Sequence, residues 1–127
     1  MASEELQKQL QEELEKFKVS EKDYQKAITV RKQLDGQLNE NNMVKEELDL
    51  LSSDDKVFKM MGPVLIRQDV EEAKATVGKR IEYISGEVKR HDNLIKDLEK
   101  KQEAHRDKLG KLQQEFSKAH MKLAAKT

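Results

Sequence analysis

Apolar side chains recur along this chain in steps of three and four, and the pattern is reflected about the Gly62-Pro63 pair. Forward from the N-terminus, Leu6, Leu10, Tyr24, Ala27, Leu34 and Leu38 share one stripe. Backward from the C-terminus, Phe116, Leu112, Leu98, Ile95, Val88 and Ile84 repeat the same steps in the same order. Such steps place residues on one face of an α-helix, so each half of the chain predicts a long amphipathic helix. A chain folded back at its centre sets Leu6 against Phe116, Leu10 against Leu112, Tyr24 against Leu98, Ala27 against Ile95, Leu34 against Val88 and Leu38 against Ile84. The expected fold is mainly α: a long antiparallel two-helix coiled coil joined by a central β-hairpin.

The boundaries follow from the breaks in this pattern, and residues 1–127 read as one domain. Ser3, with Glu4 and Glu5 behind it, suits a helix start, and the first helix is expected over 1–51, roughly 70 Å at about 1.5 Å per residue. The polar cluster Ser52-Ser53-Asp54-Asp55 ends it. The linker and hairpin occupy 52–69, where Val57, Phe58, Met60, Met61, Val64, Leu65 and Ile66 crowd together around Lys59 and the Gly62-Pro63 turn. Asp69 and Glu72 have capping-box spacing, so the second helix, with its tail, is expected over 70–127. Its seam continues through Ile81, Ile84, Val88, His91, Ile95, Leu98, Gln102, His105, Leu109, Leu112, Phe116, Ala119 and Leu123. Gly36, Gly78, Gly86 and Gly110 fall within the helices and are soft points, each costing about 1 kcal/mol relative to alanine.

The hairpin carries the functional signal. A two-stranded ribbon is marginal alone, and this one has apolar side chains on both faces and unpaired edges. One helix pair covers only part of it, so Val57, Phe58, Met60, Met61, Val64, Leu65 and Ile66 are expected to assemble with other subunits. The alternative is a hairpin that folds down onto its own helices as a cap. Against the cap, a neck of helices about 10 Å wide offers little surface to hide so many apolar groups.

Composition narrows the function classes. Charged residues make up 39% of the chain and hydrophobic ones 35%, which is too sparse for a broad globular core but suits a two-helix seam. Lysine plus arginine equals aspartate plus glutamate at 25 each, interleaved along the chain, so the cationic excess that nucleic acid or an acidic membrane requires is missing. There is no cysteine, hence no disulfide or thiolate metal site. The acidic N-terminus lacks a basic segment followed by an apolar core, and no apolar run approaches the ~20 residues that span a bilayer, so a soluble cytosolic protein is the expectation.

Candidate chemistry is thin. His91 and His105 lie about 21 Å apart along a helix and His120 further still, so they do not share a metal. The fold-back sets His91 against Arg31 and His105 against Phe17, where they read as notches that fix pairing. Gly78-Lys79-Arg80 lacks the upstream glycine and following hydroxyl of a phosphate loop. The Glu12-Glu13 and Glu46-Glu47 pairs read as solvated helix faces, not acid/base carboxylates. Asn41 and Asn42 interrupt the heptads either as solvent-facing amides or, as a family resemblance of this stretch implies, as contacts to neighbouring subunits. No nucleophile is paired with a base and no cofactor loop is present, so no enzyme activity, cofactor or metal is expected.

Three segments resemble one known family. Phe58-Lys59-Met60-Met61-Gly62-Pro63-Val64-Leu65-Ile66, preceded by Glu40-Asn41-Asn42-Met43-Val44-Lys45-Glu46-Glu47-Leu48 and followed by Ala75-Thr76-Val77-Gly78-Lys79-Arg80-Ile81-Glu82-Tyr83-Ile84, is similar to prefoldin, in its eukaryotic β-type branch. Met60-Met61 stands where leucines are common in the family, a change that a flexible thioether tolerates. The resemblance implies a hexamer of two α-type and four β-type subunits, joined through their hairpins into β-barrels. It further implies ATP-independent holding of unfolded clients such as actin and tubulin chains between coiled-coil tips, and their transfer to the cytosolic group II chaperonin. On that reading the apolar residues near the chain ends, Leu6, Leu10, Phe17, Leu112, Phe116, Met121 and Leu123, are candidate client contacts, although Leu10, Phe17 and Leu112 also read as ordinary seam residues. The rival from another class is a structural coiled-coil tether or spacer, which has no use for an apolar ribbon at mid-chain.

Overall fold

The computed structural model of the chain describes residues 2–126, with four elements in the order α1 (Ala2–Asp49), β1 (Val57–Met61), β2 (Val64–Gln68) and α2 (Val70–Lys126). This is the mainly helical fold, with its central hairpin, that the reflected stripe implies. The expected Ser3 cap lies outside the described side chains. α1 stops at Asp49, just short of Leu51, because the last turn tightens: the Leu50 amide donates to the Glu47 carbonyl at 3.2 Å and that of Leu51 to Leu48 at 3.1 Å. Asp55 then closes the polar turn, accepting from the Ser52 amide at 2.7 Å. At the start of α2 the Asp69 carbonyl accepts from the Ala73 amide at 3.0 Å, as an N-cap carbonyl does. Among the described residues the side-chain half of the expected capping box does not form. Among them, too, no helix is long and apolar enough to cross a membrane.

The strands pair antiparallel, Val57 with Gln68 through Met61 with Val64, leaving a two-residue loop. Gly62 sits at φ 60°, and Pro63 is locked to negative φ by its ring. Positive then negative φ defines a type II′ turn, whose twist matches that of the flanking strands. Glycine is required at the first position because a side chain there strains the backbone.

The chain divides into two compact units, one spanning Val30–Asp92 and the other combining the residues up to Thr29 with those from Asn93 onward. In the Val30–Asp92 unit, Leu48, Ala73 and Val77 form a buried cluster, with Leu51, Val57 and Ile81 packed against it. This is where the hairpin root meets the helices. Arg31 bridges α1 and α2 by donating to Asp92 at 2.9 Å, with Asp35 at 3.4 Å on its own helix. Arg31 therefore pairs with Asp92, not His91; the His91 ring is hydrogen-bonded to the Glu87 carbonyl of its own helix at 2.9 Å. Asn41 is half-buried and donates to the Gln37 carbonyl at 2.8 Å, whereas Asn42 is exposed.

In the other unit, Ala27, Ile95 and Leu98 form the buried cluster, with Tyr24 and Ile28 packed against it. Tyr24 donates to Glu99 at 3.4 Å, and Gln102 donates to Glu21. These contacts hold the fold-back register in this unit. The Arg106 guanidinium lies over the Phe17 ring, 5.9 Å from the centroid, while His105 pairs with Glu13. Along α2 every seam position from Ile81 to Ala119 is buried or half-buried, but the next step, Leu123, is exposed.

Candidate functional site

Hairpin side chains segregate by face. Strand alternation puts Val57 and Lys59 on the side toward the helices, where both are half-buried, and Phe58 and Met60 on the opposite side. Val57, expected among the assembly residues, is committed to its own chain by packing on the Leu48 cluster. The others stay open to solvent: Phe58, Met60, Met61, Val64, Leu65 and Ile66 are between 44% and 74% exposed. The hairpin therefore does not fold down as a cap. At about 25 cal/mol per Å² of apolar surface, covering each of these half-exposed side chains is worth on the order of 1 kcal/mol, so a partner seated on the ribbon gains several kcal/mol before binding costs.

The candidate client residues all lie in the unit that joins the two chain ends. Leu112 is buried at 7% exposure, which closes its side chain to a ligand. Leu6, Leu10, Phe17 and Phe116 are half-buried, and Phe116 stacks on His120 with ring centroids 5.4 Å apart. Met121 and Leu123 are open, at 74% and 55%. Among the candidate client residues the accessible apolar surface is thus centred on the last turns of α2.

The sequence reading missed a polar core in the same unit. Glu13, assigned to a solvated face, is buried at 3% exposure, and Ser20 at 5%. The signal was available: Leu10, Glu13, Phe17, Ser20, Tyr24 and Ala27 keep the three-four step, so the seam runs through both polar residues. One Glu13 oxygen meets His105 Nδ1 at 2.5 Å and the other meets Lys108 Nζ at 3.4 Å. The hydrogen bond from His105 is the larger influence holding the Glu13 carboxyl below its ordinary range; burial opposes it and Lys108 reinforces it. Glu12, one step round the helix, is exposed. Among the described residues no group of three or more histidine, cysteine, aspartate or glutamate side chains is placed to hold a metal ion.

A chain that satisfies its helical seam internally yet leaves a hairpin of apolar side chains uncovered has the build of a subunit. Comparison with known proteins gives the same class. The family model described as prefoldin subunit matches residues 11–116. Prefoldin subunit 6 of Mus musculus is 50% identical over 114 residues, covering 90% of this chain and 90% of its own length. Prefoldin subunit 6 of Arabidopsis thaliana is 47% identical over 109 residues, covering 86% and 84% respectively. The crystal structure of the prefoldin beta subunit from Thermococcus strain KS-1 matches with a TM-score of 0.56 at 20% identity, covering 87% of this chain and 91% of that one, and so shares the fold. The chain belongs to the prefoldin family and is a subunit of the prefoldin chaperone type.

Proposed function

We propose that this chain is a β-type subunit of a hetero-hexamer of α-type and β-type prefoldin subunits, working in the cytosol without ATP and without catalysis. Its hairpin joins the assembly, and its helix ends hold unfolded polypeptides of the actin and tubulin kind for transfer to the group II chaperonin. Support for client holding comes from Met121 and Leu123, which are exposed beside half-buried Phe116 in a chain whose other seam positions on α2 are covered. A long thioether adapts to varied apolar segments, and the lysines around it, Lys118 and Lys122, oppose self-association. Several subunits acting together turn weak single contacts into firm retention.

Trimming the chain before Leu10 and after Leu112, then assembling it with its partner subunits, tests this reading. The complex forms with unchanged subunit stoichiometry, its native mass lowered only by the residues removed, but suppresses aggregation of a denatured client less well. Undiminished suppression refutes client contact at these ends.

A further inference from the structure

The flank of the Val30–Asp92 unit carries a groove that neither the hairpin reading nor the client reading uses. Two hollows of about 190 Å³ and 480 Å³ share Thr76 and Arg80 and so run together as one channel. Val44, Phe58 and Lys59 line its hairpin end, and Lys79 and Tyr83 its far end. The floor is apolar. Tyr83 is 70% exposed. Three cations, Lys59, Lys79 and Arg80, line the channel and no carboxylate does. Among the described residues none of the three forms an ion pair. In a chain whose charges balance and interleave, that local bias selects an occupant that brings carboxylates.

Position selects the occupant further. β1 contributes Val57, Phe58 and Lys59 to the channel, whereas β2 contributes only Gln68, so the groove opens on the β1 side. The sheet has two strands, so β1 keeps one free edge. A strand from another subunit that pairs with that edge brings its own adjoining helix to the mouth of the channel. A subunit built like this one has carboxylates there: Glu46, Glu47 and Asp49 are exposed at the end of α1 and lie outside the groove. We propose that the channel seats the carboxylate-bearing helix end of a neighbouring prefoldin subunit, giving a second, electrostatically steered contact beside the hairpin. The contact is heterologous, groove of one subunit to helix end of the next, and it sets which subunit follows which. This rests on the hairpin-assembly reading.

The test is assembly of the full-length chain with its partner subunits, read as dissociation constant against salt concentration. Lys79→Glu/Arg80→Glu and Leu65→Asp, a hairpin change outside the groove, are compared with the unaltered chain. Lys79 and Arg80 are exposed, so helicity by circular dichroism is retained; Lys79→Ala/Arg80→Ala serves as a milder second variant. The charge-reversed chain is expected to bind about tenfold more weakly and to lose most of the salt dependence, while assembled complexes hold client normally. Normal assembly of both charge variants, with Leu65→Asp defective, overturns the groove and leaves the hairpin reading standing. Normal assembly of all variants overturns both. Loss of client holding without loss of assembly makes the occupant a client and refutes the proposal, as does groove-dependent self-association of the chain alone.

Discussion

Replacing His105 with leucine removes one of the two partners of a carboxylate that is 97% shielded from solvent, and the cost follows from what remains. Severing a buried ion pair in a deep core costs about 3–5 kcal/mol, because the surviving charge is stranded. Here Lys108 still reaches the second Glu13 oxygen at 3.4 Å, and with only two helices packed together water lies one side chain away. Both effects reduce the cost, and His105→Leu is expected to destabilise by about 1.5 kcal/mol, or about 5 °C in Tm for a chain of this size. Glu13→Leu/His105→Leu replaces the pair with an apolar one at a seam position and is expected to lie within about 0.5 kcal/mol of the unaltered protein. Urea unfolding followed by circular dichroism measures both. The pH dependence has a definite sign. The folded-state pKa of Glu13 lies below the ordinary 4.5, so its contribution is full above 4.5 and is lost as pH falls through the folded value. Glu13→Gln therefore flattens the acid limb of the stability profile. A neutral His105→Leu, or a double variant weaker than the single one, refutes the account of Glu13 as a charge that depends on its partner.

Two substitutions of glycine to alanine go in opposite directions. Gly62→Ala places a side chain at φ 60° and is expected to destabilise the hairpin by about 1 kcal/mol, seen as weaker assembly with partner subunits. Gly36→Ala meets nothing within 4 Å in the middle of α1 and is expected to stabilise by up to about 1 kcal/mol, read as a higher urea midpoint.

The helices and the hairpin were legible because each is specified locally. A three-four step survives polar interruptions, Ser52 to Asp55 offers no apolar group to continue it, and Gly62-Pro63 admits few backbone geometries. The seam of α2 was read residue by residue as far as Ala119, which the structure buries or half-buries. What was not legible is rotation about each helix axis by a fraction of a turn. On that rotation depends whether Arg31 reaches His91 or Asp92, and which side chain His105 bonds. Long side chains bridge either neighbour, so the spacing alone does not choose.

Sequence by itself determined where the chain turns back, which stripe is apolar and which segment is too apolar for its own helices to cover, since all three are properties of residue order. Tertiary structure decided that Glu13 and Ser20 are interior, that Val57 belongs to its own chain while Phe58, Met60, Met61, Val64, Leu65 and Ile66 present apolar side chains outward, and that three cations gather along one flank without a carboxylate. Burial and charge surroundings are set jointly by two segments remote in sequence. Their relative rotation is fixed only when both have packed.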